Sequence, residues 1–277
     1  MSISDDLEFA AELARGAGKI VLQHYGKSQR LTKTHAAATA EAVTEADRAA
    51  QRYIVSHLRT RFPGDGIIGE ESDSGESITL DVRDPRGRNW VIDPIDGTNN
   101  FIAGLGIFAV CIGLLDGGFP VLGVVYDVTR DAMYTAARGL GARLGGQRLK
   151  AAATPGGENT IVMLTSNLLK NDGTCPKWAV RWIAQTDIKT RILGSAAVET
   201  VMVASGVAHG AVTINGKLWD LVAPAAIVLE AGGVVTDLKG APIFPFDLTR
   251  YAGERVPFLA AGKAAHEALI REVVENP

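Results

Sequence analysis

Apolar and polar positions change rhythm several times along the chain. Over residues 5–25, Leu7, Phe9, Ala10, Leu13, Ala14, Ala17, Ile20, Val21 and Leu22 share one face, which predicts a helix. Asp5, Asp6 and Glu8 lie at its positive N-terminal end. Residues 30–43 are small and polar and predict a strand or loop. Residues 44–62 return to helical spacing, with Thr44 as N-cap, Asp47 three residues on, and Pro63-Gly64-Asp65-Gly66 as the stop. Ile67-Ile68-Gly69 reads as a strand end, and 73–88, rich in Asp, Gly, Ser and Arg, as a surface loop. The middle turns to short apolar runs. Residues 89–93 predict a strand that runs into acidic residues; 108–115, the turn Asp116-Gly117-Gly118 and 121–126 predict a hairpin, with 132–136 adding a third antiparallel strand.

Polar residues 151–160, with Pro155-Gly156-Gly157, mark a boundary between a half at 1–150 and a half at 151–277. Beyond it, strands are expected at 161–164, 188–193, 210–214 and 234–237. Helices are expected at 176–184, 195–206, 219–232 and 264–275. Gly232-Gly233 reads as a helix stop. The alternation lacks the regular period of a doubly wound sheet, so the expected class is α+β, a mixed sandwich of sheets and helices with antiparallel strands dominant.

With 277 residues the chain can bury a real core; 47% hydrophobic and 21% charged residues are ordinary for a globular protein. A net charge of −3 and a pI near 6.0 give no polyanion-binding surface, so nucleic acid is not an expected partner, and attraction for a phosphate must be local. Cys111, inside an apolar run, and Cys175 are too far apart for a disulfide framework or a structural zinc site, which fits a reducing cytoplasm. The first residues lack the basic and apolar regions of a signal peptide, and no apolar run is long enough for a membrane span. The five histidines lack metal-ligand spacing, and Trp219 reads as a packing residue.

Three clusters carry chemistry: Gly69-Glu70-Glu71-Ser72, the segment Trp90 to Phe101 with Asp93-Pro94-Ile95-Asp96-Gly97-Thr98, and Leu218-Trp219-Asp220. Asp93 and Asp96 leave the end of an apolar strand around a stiff Pro94. Carboxylates held so close repel unless a cation is present, and an all-oxygen site suits Mg²⁺ or Mn²⁺. Gly97 allows backbone amides to approach an anion at a helix start, and Thr98 adds a hydroxyl that can orient water. Carboxylates, cation, anion-binding amides and a positioned water are the components of phosphate ester hydrolysis.

Gly-Glu-Glu-Ser, then Asp-Pro-Ile-Asp-Gly-Thr-Asn-Asn-Phe, then Trp-Asp with a downstream Glu-Ala-Gly-Gly, in this order, resembles the inositol monophosphatase family. The resemblance implies a layered α/β/α/β/α sandwich of the sugar-phosphatase type, usually dimeric, with lithium sensitivity. It implies Glu70, Asp93, the Ile95 carbonyl, Asp96 and Asp220 as metal ligands. Glu70 and Thr98 would position the attacking water, with Asp47 hydrogen-bonded behind Thr98. Gly97 and Thr98 would hold phosphate, and Gly194, Ser195 and Ala196 would approach the rest of the substrate. The implied reaction is in-line attack of a metal-activated water on a small phosphorylated polyol or sugar, without a phosphoenzyme.

Family members act on inositol monophosphates, histidinol phosphate, fructose bisphosphate or 3′-phosphoadenosine nucleotides. Animal inositol phosphatases carry a Glu seven residues before the Asp of Trp-Asp; here that position is Thr213. The short chain favours a simple monophosphatase. A regulatory binding protein and a two-metal nuclease are the readings from other classes.

Overall fold

A computed structural model describes residues 2–25, 31–32, 42–43, 45–71, 78–169 and 173–277. The proposed N-cap Thr44 and Ser72 lie outside them. In chain order the elements are α1 (Ile3–His24), β1 (Leu31–Thr32), β2 (Ala42–Val43), α2 (Glu45–Arg61), β3 (Gly66–Gly69), β4 (Thr79–Asp81), β5 (Asn89–Asp96) and α3 (Thr98–Ala103). The meander follows as β6 (Ala109–Asp116), β7 (Phe119–Asp127), β8 (Ala132–Ala137), β9 (Gly141–Leu144) and β10 (Gln147–Arg148). Then come β11 (Thr160–Leu164), α4 (Lys177–Ala184), β12 (Ile188–Arg191), α5 (Ala196–Ala204), β13 (Gly210–Thr213), α6 (Leu218–Glu230), β14 (Gly233–Thr236), β15 (Phe258–Gly262) and α7 (Lys263–Glu275).

The layers are α/β/α/β/α. An eight-stranded sheet runs β10-β9-β8-β7-β6-β5-β3-β4, antiparallel except for the β3–β5 pair. A five-stranded mixed sheet runs β12-β11-β13-β15-β14. All strands of the first sheet precede residue 150, and all strands of the second follow it. Alternation along the strands sorts side chains between layers. Trp90 and Ile92 of β5 and Val110, Ile112 and Leu114 of β6 pack with Leu13, Val21, Ile54 and Leu58 of α1 and α2. Val91, Ala109 and Cys111 face the other way, into a core with Val198, Val201, Val222 and Ile227 of α5 and α6. That central helical layer also packs on Ala211, Phe258 and Ala260 of the second sheet, whose outer face is covered by Trp178 and Trp182 of α4 and Leu269 and Val273 of α7.

The central helix α6 lies against the first sheet at two glycines paired in register, Gly113 and Gly123. A Cβ on Gly113 would sit 2.6 Å from Val222 Cγ1, and one on Gly123 would fall on the Ala223 carbonyl oxygen. Only a strand surface stripped of side chains admits the helix backbone this closely.

The structure departs from the sequence expectations in several places, among them the added strands β9 and β10 at the end of the meander. Part of the expected surface loop at 73–88 is the short edge strand β4. The β5 strand continues through both aspartates to Asp96. The apolar run Phe258–Gly262, left unassigned by the periodicity, is β15, buried along its length and antiparallel to both β13 and β14. A short apolar run has no helix or strand signature of its own; its neighbours decide it. Gly232, with φ +85°, ends α6 as expected, and Trp219 is buried.

Candidate active site

Asp93 and Asp96 are three residues apart, and on a regular strand they would point to opposite faces. A bulge between them changes this. Asp93 pairs with Cys111 and Asp96 with Ala109, so three steps on β5 match two on β6. Cys111 and Ala109 share the face toward α5 and α6, and the bulge turns both aspartates to that face. Asp93 also accepts a hydrogen bond from the Ile95 amide at 3.0 Å, an Asx turn around Pro94.

Asp220 arrives from α6, near the helix start, where the Lys217 amide donates to its Oδ2 at 2.6 Å. The Leu218 amide donates to Tyr251 Oη at 3.1 Å, which fixes the same helix start. Burial pushes the Tyr251 phenol up to about 12, with the Asp220 charge adding to it. One carboxylate oxygen from each of Asp93, Asp96 and Asp220 lies within 4.8 Å of the others.

Asp93 and Asp96 are buried. Burial raises the Asp93 carboxyl well above its ordinary range, and the charges of Glu70, Asp96, Asp220 and Asp47 raise it further. Burial also raises Asp96, against the pull of the Ser195 hydroxyl and the α5 amides. Three converging carboxylates, two of them buried, form an all-oxygen donor set that fits a hard divalent cation.

Asp96 lies at the start of α5. It accepts from the Ser195 hydroxyl, from the Ala196 amide at 3.1 Å and from the Ala197 amide at 2.9 Å. Ser195 is also the α5 N-cap, bonded to Val198 N at 3.3 Å. Of the loop expected to approach the substrate, Ser195 and Ala196 therefore hold Asp96, while Gly194 and Ala196 also line a cavity. That cavity has about 160 Å³ and reaches Asp96 and Asp220 past Thr165, Ser166, Thr213 and Asn215.

Gly97 has φ +95°, and a Cβ there would stand 2.9 Å from the Ile107 carbonyl oxygen and 3.1 Å from Ser195 Cβ. The Thr98 hydroxyl donates to the Ile95 carbonyl at 2.9 Å. A hydroxyl has one proton, so in this arrangement it is not given to Asp47. Asp47 is buried in the first turn of α2, and Glu70 follows β3, its amide donating to the Ile92 carbonyl at 3.3 Å.

Several residues that shape the site have no role assigned by the three clusters, and of them only Asn100 lies within one. Gln51 of α2 brackets the backbone of Glu71, accepting from its amide at 2.9 Å and donating to its carbonyl. Asp47 and Gln51 lie on the buried stripe of α2 with Ala46, Ala50, Ile54 and Leu58, and a polar residue on such a stripe is the available signal. Asn100 donates to both the Ile107 and Leu193 carbonyls at 2.8 Å. Glu199 is a buried acid in a helix otherwise apolar except for Thr200.

The model of the inositol monophosphatase family matches residues 3–277. The chain belongs to this family. Among relatives of this family member, a Nus factor SuhB from Pasteurella multocida is 35% identical over 84% of this chain and 85% of its own length. A fructose-1,6-bisphosphatase/inositol-1-monophosphatase from Thermotoga maritima is 33% identical over 85% of this chain and 86% of its own. The inositol monophosphatase 1 of Sus scrofa is 30% identical over 96% of this chain and 93% of its own. Among solved structures, an IMPase from Thermotoga maritima superimposes with a TM-score of 0.82 at 30% identity, covering 98% of this chain and 97% of that one. Family membership and the carboxylate cluster together give a hydrolase of the phosphomonoesterase superfamily with an acidic triad consistent with a divalent-metal site.

Proposed function

We propose that this protein is a Mg²⁺-dependent phosphomonoesterase acting on inositol monophosphate or a closely similar small polyol phosphate. The observation that carries the reading is the convergence of Asp93, Asp96 and Asp220 beside a small cavity. Glu70, Asp93, the Ile95 carbonyl, Asp96 and Asp220 are assigned to hold Mg²⁺, with Mn²⁺ as a substitute. When bound, the cation supplies a water acidified toward neutral pH and charge stabilisation at the leaving oxygen. Glu70 and Thr98 orient the water. With the Ile95 carbonyl engaged elsewhere, the Thr98 hydroxyl would donate its hydrogen bond to Asp47, leaving its oxygen free to accept one from the water. The Gly97 and Thr98 amides hold the phosphate, and Gly194 and Ala196 face the remainder of the substrate, with Ser195 behind them on Asp96. Asp93 and Asp96 come from the 1–150 half and Asp220 from the 151–277 half, which supports treating both as one catalytic unit.

The cavity supports a small substrate. At about 160 Å³ the cavity is small for a ligand site, which favours a compact polyol or sugar phosphate. Thr165, Thr213 and Asn215 offer neutral hydrogen-bonding groups suited to hydroxyls. A homodimer in the cytoplasm is part of the same proposal; Val180 and Ile183 leave an apolar exposed strip on α4, and no helix of the described residues is long and apolar enough to cross a membrane. Sedimentation gives the mass.

The test is phosphate release with Mg²⁺ from inositol 1-phosphate, histidinol phosphate, fructose 1,6-bisphosphate and 3′-phosphoadenosine 5′-phosphate, with and without Li⁺. Turnover is expected to be fastest on inositol 1-phosphate and inhibited by Li⁺. Release from none of them defeats the reading. A regulatory binding role is the second reading, favoured by the name Nus factor carried by the Pasteurella relative. It gains ground if the panel is silent.

A further inference from the structure

Glu199 takes no part in the chemistry above, yet it is 1% exposed and sits behind the cavity wall. Its Oε1 accepts from the Leu193 amide at 2.6 Å and from the Gly194 amide at 3.0 Å. Its Oε2 is buried with no hydrogen-bond partner among the described residues. The backbone it grips is held again from the other side, because Asn100 donates to the Leu193 carbonyl at 2.8 Å. Gly194 has φ +80°, and a Cβ on it would stand 3.1 Å from the Asn100 amide group. The next residues along the chain, Ser195, Ala196 and Ala197, are the ones whose hydroxyl and amides hold Asp96.

We infer that Glu199 is a positioning residue for this site: its carboxyl fixes the backbone of Leu193 and Gly194, and through them the donors that orient Asp96. The inference rests on the metal-dependent phosphatase reading. The physical need is plain. Two amides at the entry to a buried helix start must be satisfied. A side chain from the first turn of the same helix satisfies both with one oxygen, tying the loop to α5 as one unit. The geometry suits a neutral acid, since the second oxygen is buried without a donor to stabilise charge. Burial pushes the Glu199 carboxyl up to about 8, and of the charged groups packed around α5, Asp96 on β5 is the one that adds to the shift. A glutamine at this position keeps the acceptor oxygen and removes the ionisable group.

The test compares wild type with Glu199→Gln, Glu199→Asp and Glu199→Leu. Mn²⁺ dissociation constants are measured by calorimetry, apart from any turnover, and kcat and KM on inositol 1-phosphate are measured alongside. The leucine variant is expected to bind Mn²⁺ at least about tenfold more weakly, the scale on which groups behind metal ligands act. The glutamine variant is expected to stay within about threefold of wild type, and the aspartate variant to fall between. A folded leucine variant with wild-type Mn²⁺ affinity overturns the inference, as does a glutamine variant as impaired as leucine. If the leucine variant does not fold, the aspartate variant decides: its carboxyl is one methylene short of the amides, and unchanged Mn²⁺ affinity there overturns the inference. Wild-type protein that neither binds Mn²⁺ nor releases phosphate defeats the underlying reading instead, so the two failures are distinct.

Discussion

The acidic cluster is built from two sides by different means. On one side, Asp93 and Asp96 are set by a strand: sheet register and one bulge determine where they point. On the other, Asp220 and the donors around Asp96 are set by helix starts: capping bonds and close packing of α5 and α6 determine where they lie. The strand side is marked by a short motif, although its bulge forms only against β6. The helix side depends on residues far apart in the chain, such as Asn100 with Leu193 and Leu218 with Tyr251. Substitutions on the strand side should therefore act on the chemistry directly, and those on the helix side through geometry.

The largest effect is expected on the strand side. Asp93→Asn removes a buried charge from the cluster and is expected to lower phosphate release at least about 10²-fold, with little loss of Tm. A variant retaining a third of wild-type turnover breaks the assignment. Next is the support of the helix side. Gly123→Ala sets a methyl against the Ala223 carbonyl, and the helix carrying Asp220 must move. Thermal unfolding should show a loss of about 3 kcal/mol, because backbone cannot rotate away as a side chain can. Unchanged stability would mean the helix has slack there.

Ser195→Ala removes a hydroxyl from Asp96 while leaving two amides in place. Mg²⁺ affinity is expected to fall roughly tenfold, measured by titrating activity. Tyr251→Phe leaves the Leu218 amide without its acceptor and should cost about 1 kcal/mol of stability, with a smaller effect on Mg²⁺ affinity than Ser195→Ala. The reverse order would place more of the positioning on α6 than on α5.

A pH series sharpens the same contrast. The Asp93 carboxyl is raised in the fold above its unfolded value, so in metal-free protein its neutral form is favoured. Its contribution to stability is full below the unfolded value and is lost as pH rises through the folded value. On the proposed assignment, Mg²⁺ would bind the ionised form. The rise in Tm on adding Mg²⁺ is therefore expected to grow with pH. In Asp93→Asn that growth should shrink, as calorimetry can check. A Tm rise independent of pH in wild type would remove the proton competition.

Much of this was legible in the sequence because it is local. The apolar faces of α1 and α2, the hairpin at Asp116-Gly117-Gly118 and the stop at Gly232 follow from spacing and turn chemistry within a few residues. Glu70, Asp93, Asp96 and Asp220 were visible as acids in motifs. Other features were not. The bulge that turns Asp96 beside Asp93 exists only against β6. The sheet role of Phe258–Gly262 exists only between β13 and β14. The Ser195 and Ala196 contacts to Asp96 span about a hundred positions, and no local pattern marks them.

The sequence by itself determined which residue types are available for a metal and a phosphate, the family they belong to and the layered α+β class, because motifs and hydrophobic periods are properties of neighbours in the chain. Only the tertiary structure decided that three of those acids converge within 4.8 Å. It alone decided that Thr98 spends its proton on Ile95, and that Glu199, Asn100 and Gln51 hold the site from behind. The reason is physical: a hydrogen bond or a helix resting on glycines requires two surfaces to meet, and where they meet is set by the packing of whole layers.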